Sequence, residues 1–270
     1  MVNEFKMKQD IVEVGKRMYN KGFVASNDGN ISIRISENEV LITPTGVSKG
    51  YMSPSDMIKV DMDGKVISGT KKPTSEMKMH LAVYKKRPDV KAIVHAHPPA
   101  ATAFAVAGKI CDKIALPEVI FSLGLISLAE YGTPSTNEVP KVVEKYIEFS
   151  DAVLLTNHGA LTVGTDVYDA YYKMETLEHF SNITLYARLL GGEKALDKNQ
   201  IRELFNIRQN VYGKPIPKFT SDSGLCGGSS IAEVVDTAEP KEKSSGDMDT
   251  EQLKDAIKKI VISELKKLEL

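Results

Sequence analysis

The sequence predicts an α/β sandwich on a mixed sheet, and three observations carry that prediction. Short alternating segments such as Ile31-Ser32-Ile33-Arg34-Ile35 have the period of a strand with one buried face. Longer segments, residues 4–21 and 167–190 among them, place apolar side chains at helical spacing. The two kinds interleave irregularly, without the strict alternation of a doubly wound parallel sheet.

Taken in order, the first helix spans residues 4–21, with Phe5, Ile11, Val14 and Met18 on one side and Gly22 closing it. Asn27-Asp28-Gly29-Asn30 is a turn signal before the strand at 31–35, and a second strand over 39–43 ends in Pro44-Thr45-Gly46. A helix over 75–86 carries Met77, Leu81 and Tyr84. Residues 91–97 read as a strand, followed by a helix opened by Pro98-Pro99. Strands at 153–156 and 160–163 flank Asn157-His158-Gly159, and helices over about 167–190 and 197–211 complete a body of residues 1–216. Residues 217–248, rich in Ser, Gly, Asp, Pro, Glu and Lys, bury too little surface to offset chain entropy and read as a linker. Residues 249–270 regain a helical stripe of Leu253, Ile257, Ile260, Val261, Leu265 and Leu268, with Thr250 as N-cap.

Composition narrows the function classes. The chain has 270 residues, 42% hydrophobic and 26% charged, an ordinary globular balance. A net charge of −1 offers no overall attraction to nucleic acid or a membrane surface, and no stretch approaches the ~20 apolar residues of a span. The opening Met-Val-Asn-Glu-Phe-Lys lacks a secretory apolar run, and Cys111 and Cys226 read as two reduced thiols, a single disulfide being the alternative. A soluble cytoplasmic protein is expected.

Three histidines and a glutamate carry the chemistry. In Val94-His95-Ala96-His97, alternate strand side chains share a face, so two imidazoles ~7 Å apart at Cα can converge on one ion. The pair alone is weak, because histidines bonded to backbone at a strand end look the same. His158 strengthens it, leaving the apolar run at 152–155 through a sharp turn beside Gly159; a solvated turn histidine is the plain alternative. Three imidazoles leave one tetrahedral position open, as in catalytic zinc sites. Glu76, in Lys72-Pro73-Thr74-Ser75-Glu76, can be a base beside the metal, with Thr74 and Ser75 at a helix N-terminus suited to an anion. Ordinary helix capping accounts for the same residues, and on local sequence alone it is the simpler reading. His80, one turn after Glu76, reads as a packing or supporting histidine, and His179 as structural or exposed. The turns at 28–30 and 43–46 could together form an anion nest.

The order of these pieces resembles the class II aldolase family of L-fuculose-1-phosphate aldolase and L-ribulose-5-phosphate 4-epimerase. The matching elements are Asp28-Gly29-Asn30-Ile31-Ser32, Thr43-Pro44-Thr45-Gly46, Pro73-Thr74-Ser75-Glu76, His95-Ala96-His97 and Asn157-His158-Gly159, and the likeness covers residues 5–215. It implies a three-layer α/β/α sandwich with a central mixed, largely antiparallel sheet, assembled as a homotetramer with active sites between subunits. It implies one Zn²⁺ per subunit on His95, His97 and His158, and Glu76 as the proton-moving carboxylate. It implies phosphate binding by Gly29, Asn30, Thr45, Gly46, Thr74 and Ser75. Glu rather than Asp at position 76 points to the aldolase branch. The implied reaction is cleavage of a ketose 1-phosphate to dihydroxyacetone phosphate and lactaldehyde. A related epimerase, dehydratase or decarboxylase is the second reading; an adducin-like scaffold, which lacks the metal histidines, is the third. Glu118 stands where the fuculose enzyme has a tyrosine from the neighbouring subunit, while Tyr212 matches the family's C-terminal active-site tyrosine.

The terminal helix of 249–270 is too short to be stable alone and needs a partner surface. That surface is either the body or oligomer, or a shell protein: linker and helix together resemble the encapsulation peptides that target enzymes to bacterial microcompartments.

Overall fold

Eight strands form one sheet, and their order explains how distant sequence motifs meet. The structure is a computed structural model describing residues 3–111 and 113–215; the proposed linker and terminal helix lie outside the described residues. The first half runs α1 (Glu4–Asn20), β1 (Asn30–Arg34), β2 (Glu39–Ile42), β3 (Ile58–Asp61), β4 (Val66–Ser68), α2 (Met77–Lys86) and β5 (Ala92–Ala96). The second runs α3 (Pro99–Val106), α4 (Pro117–Ser122), β6 (Ile126–Ala129), α5 (Glu138–Ile147), β7 (Ala152–Leu155), β8 (Gly159–Gly164), α6 (Val167–Leu189) and α7 (Lys198–Asn210). The sheet order is β4-β3-β2-β1-β5-β8-β7-β6. Every pairing is antiparallel except that of β6 with β7.

The period-two alternation read in the sequence divides the core into two faces. Ile31, Ile33, Leu41, Ala92, Val94, Ala152 and Leu154 pack with residues of α1, α3, α4 and α6. Their alternate neighbours, including Val40, Ile42, Ile93, Val153 and Leu155, pack with α2 and α5. The result is the expected three-layer α/β/α sandwich with a mixed, largely antiparallel sheet. Small Ala and Gly residues along β5 and β8 fit the crowded centre, where both faces are covered.

Capping fixes two helices that frame the site. Asp166 opens α6 by accepting from the Tyr168 and Asp169 backbone N–H groups. At the start of α3, where Pro98-Pro99 provide no capping side chain, Glu178 of α6 reaches across to accept from Ala100 N and Ala101 N at 3.0 and 2.8 Å. That carboxylate meets the positive end of the helix and ties α3 to α6. The helix expected over 75–86 begins at Met77, with Glu76 as its N-cap residue. Glu76 therefore leaves the chain at the junction between an extended segment and the helix.

Candidate metal centre

β1 and β5 are adjacent and in register so that Asn30 faces His95, while the β7–β8 turn brings His158 to the same end of the sheet. His95 is fully buried and its Nδ1 donates to the Ala160 carbonyl at 2.9 Å. That bond fixes the tautomer and leaves the Nε2 lone pair facing inward. His97 follows the last residue of β5, held by its backbone N–H on Phe23 O at 2.9 Å, with Nδ1 3.5 Å from Asp28 Oδ2. His158 is presented by a tight turn in which Asn157 has a φ of 57°, a left-handed conformation that Asn tolerates. Gly159 is required there: a Cβ would lie 2.4 Å from His97 Cδ2 and 2.6 Å from Ala96 O.

The three rings surround one point. Centroid separations are 5.1 Å for His95–His97, 4.8 Å for His95–His158 and 5.2 Å for His97–His158. Each ring can offer one nitrogen such that all three lie within 4.8 Å of one another. His95 Nε2, His97 Nε2 and His158 Nδ1 are buried without a hydrogen-bond partner. Orphaned buried nitrogens are costly unless something takes their lone pairs, and a divalent cation fits this donor set.

Glu76 closes the group. Its Oε2 lies 3.1 Å from His95 Nε2 and its Oε1 3.2 Å from His158 Nε2. Burial alone would raise its pKa, but the facing imidazoles and the Asn30 amide drive it below the ordinary carboxylate range. Burial pushes His158 down to about 4 and also lowers His97, favouring the neutral imidazoles that metal binding needs. His95 shifts upward: burial disfavours its cation, but Glu76 opposite outweighs that. The largely buried carboxylate is thus favoured by a positive charge beside it, as a proton on His95 or as a metal ion.

The anion-binding candidates gather on the adjoining rim. Pro44 and Pro73 form an isolated bridge; Thr45 N donates to Lys72 O at 3.0 Å and Thr74 N to Thr43 O at 3.1 Å. Thr45, Gly46 and Ser75 are exposed, and Thr74 is buried with its Oγ1 accepting from Glu76 N. Gly29, at φ 74°, packs so closely that a Cβ would sit 2.9 Å from His95 O. Asn30 differs from the other rim residues, because its side chain is committed to Glu76 and His80.

One buried cation escaped the sequence reading. Lys49 is 1% exposed, and its Nζ donates to Asn27 O at 2.9 Å and Val47 O at 2.7 Å. It fastens together the two turns that carry Gly29 and Gly46. Only its place after the Thr43-Pro44-Thr45-Gly46 turn could have signalled this.

Comparison with known proteins decides the lineage. A family model, the Class II Aldolase and Adducin N-terminal domain, matches residues 9–185. The chain belongs to this class II aldolase family. An L-fuculose phosphate aldolase of Methanococcus maripaludis is 34% identical over 174 residues, covering 64% of this chain and 93% of that protein. A 3-oxo-tetronate 4-phosphate decarboxylase of Haemophilus influenzae is 31% identical over 211 residues, covering 76% and 99%. A solved L-fuculose 1-phosphate aldolase superposes with a TM-score of 0.68 at 28% identity, covering 74% of this chain and 95% of that one.

As a member of this class II aldolase family, the protein is a lyase. Two of the residues singled out in the sequence lie at the surface. Tyr212 is 54% exposed, with its ring 5.2 Å from that of Phe121. Glu118 is exposed on α4. His179 is exposed on α6, whereas His80 is wholly buried beneath Asn30. Among the described residues, no helix is long and apolar enough to cross a membrane.

Proposed function

We propose that the protein is a zinc-dependent aldolase that reversibly cleaves a ketose 1-phosphate, L-fuculose 1-phosphate foremost, to dihydroxyacetone phosphate and L-lactaldehyde. The observation that carries this reading is the convergence of three imidazole nitrogens beside one ionised, buried carboxylate. A divalent cation held by His95, His97 and His158 supplies a Lewis acid for the negative charge that develops as the C3–C4 bond breaks.

The chain's own groups do the rest. Glu76, kept ionised and fixed by Asn30 Nδ2 at 2.8 Å, moves the proton: it delivers one to carbon on cleavage and removes one on condensation. The rim of Gly29, Thr45, Gly46, Thr74 and Ser75 takes the phosphate, with Lys49 holding its two turns. Asn30 joins that rim through its backbone. Tyr212 serves the sugar as the family's C-terminal active-site tyrosine, in a homotetramer whose active sites lie between subunits; its exposed position is compatible with that role.

The decarboxylase relative, matched over 99% of its length, favours a second reading: loss of CO₂ from a 3-oxo acid 4-phosphate on the same scaffold. Both reactions leave an electron pair next to a carbonyl, so the same cation and Glu76 serve either. A panel of ketose 1-phosphates, ribulose 5-phosphate and 3-oxo-tetronate 4-phosphate, run with chelator and after zinc repletion, separates them. Chelator-sensitive release of dihydroxyacetone phosphate is expected; release of CO₂ alone would replace the aldolase reading with the second. The amphipathic pattern of residues 249–270 supports docking to a microcompartment shell protein, within an otherwise cytoplasmic setting. Removing residues 220–270 should then leave an active enzyme that no longer co-purifies with shells.

A further inference from the structure

Four side chains form an unbroken line from Glu76 into the core. Asn30 Nδ2 donates to Glu76 Oε2 at 2.8 Å, and Asn30 Oδ1 lies 2.5 Å from His80 Nε2. His80 Nδ1 lies 2.7 Å from Ser32 Oγ, which lies 2.8 Å from the Tyr84 hydroxyl. Asn30, His80, Ser32 and Tyr84 are each no more than 2% exposed. Water therefore offers these groups no easy substitute partner.

The line arises from two matched spacings. Asn30 and Ser32 are alternate residues of β1, so they share a face ~6.6 Å apart, while Glu76, His80 and Tyr84 recur every four residues along α2, ~6 Å apart. Strand and helix steps of nearly equal length let each polar group meet its partner. Next along β1, Arg34 places its guanidinium 4.8 Å from the centre of the Tyr84 ring and donates to the Tyr84 carbonyl.

Chemistry gives the line a single direction. An ionised Glu76 only accepts, so Asn30 must turn its NH₂ toward it and its oxygen toward His80. That oxygen has no hydrogen, so His80 donates from Nε2. His80 is neutral, its pKa pushed down to about 3 by burial, so its Nδ1 accepts from the Ser32 hydroxyl. Ser32, its hydrogen committed, accepts from Tyr84. Reversing the Asn30 amide would set its oxygen against Glu76 Oε2 and its NH₂ against the His80 N–H, two repulsive contacts at once.

We propose that His80 is a positioning residue. Through Asn30 it fixes the Glu76 carboxylate opposite His95 and His158, and Ser32 and Tyr84 set the tautomer that lets it do so. The proposal rests on Glu76 being the proton carrier. It makes the helix α2, through His80, part of the apparatus that orients a group at the helix's own N-cap.

The test combines a substrate-free readout with kinetics on the zinc-loaded, full-length enzyme. Nitrogen-15 NMR of the imidazoles, with His80 assigned by its disappearance in His80→Gln, should show protonated Nε2 and bare Nδ1. Kinetically, His80→Leu should lose ~30-fold in kcat, in the range that removing supporting partners around a metal site produces, with KM and zinc content little changed. His80→Gln keeps a donor near the Nε2 position and should recover most of that loss. Tyr84→Phe should cost only a few-fold, because Ser32 retains its hydroxyl. A proton on Nδ1 in the NMR overturns the proposal, and so does His80→Gln being no better than His80→Leu. If His80→Leu fails to fold, the tautomer and the His80→Gln and Tyr84→Phe kinetics still decide it. A wild-type enzyme inert on every ketose phosphate would fell the aldolase reading instead, leaving the tautomer measurement to judge the hydrogen-bond line.

Discussion

The histidine–glutamate centre and the corner built by α4 and α7 are held in opposite ways. At the centre, side chains from β1, β5, the β7–β8 turn and the start of α2 meet in the interior, and hydrogen bonds fix the tautomer of His95 and the amide of Asn30. At the corner, Ile114, Ile120, Leu125, Ile201 and Phe205 make a small separate core, pinned by Arg208 donating to the carbonyls of Ile120 and Phe121. There the groups of chemical interest, Glu118 and Tyr212, point outward. The contrast separates two roles. Under the proposed function, charge chemistry is built where the sheet fixes it, and contacts to the variable part of a substrate fall to a surface that can change without disturbing that geometry.

The largest expected effects test the self-sufficiency of the centre. His95→Ala should abolish stoichiometric zinc, read by metal analysis, and turnover with it. Loss of one of three imidazoles also leaves Glu76 without its principal counter-charge. Glu76→Gln should separate holding from chemistry: zinc stays while kcat falls by ~10²–10⁴, the usual contribution of a positioned acid–base group. Full turnover in Glu76→Gln would reduce the carboxylate to a structural partner of His95.

How much of this was legible in the sequence follows the same division. The three histidines stood out because strand alternation and a glycine turn constrain where side chains point, and they do converge. Glu76 was ambiguous locally, since a helix start explains it equally well; only the fold, which brings its Oε2 to 3.1 Å from His95 Nε2, shows it facing His95. Asn30 was expected at the phosphate, but its amide is committed to Glu76, a contact spanning 46 residues that no local pattern encodes. Unread elements were β3, β4, α4, β6 and α5. β4 is three exposed residues and α4 is six, too short for periodicity to register. β6 pairs on one side only, and its four residues carry little alternation.

An intermediate effect is expected at Lys49, which holds the two turns of the rim together. Lys49→Met should raise KM for phosphorylated substrates by ~10-fold while zinc is retained, because losing a charged hydrogen bond to each turn costs on the order of 1–3 kcal/mol. Burial lowers its pKa to about 8, so the folded protein carries the ammonium at neutral pH and sheds it as pH rises past that value. Wild-type KM should therefore climb through about pH 8, whereas Lys49→Met should start high and stay flat across that interval. A wild-type KM flat over the same range would remove the ammonium from anion binding.

The smallest effects belong to the corner. Tyr212→Phe and Glu118→Ala leave the histidines, Glu76 and the apolar clusters untouched, so zinc content and melting temperature should stay at wild-type values. Their effect should be selective: a change of ~3–10-fold in kcat/KM for one ketose phosphate relative to another, about 1 kcal/mol in differential transition-state binding. Tyr212 packs its ring near that of Phe121 and is half exposed, so Tyr212→Phe keeps the ring contact and removes only the hydroxyl. If both variants alter every substrate equally, the corner is not where the sugar is read. If either lowers zinc occupancy, corner and centre are coupled, and the separation of roles fails at its weakest point.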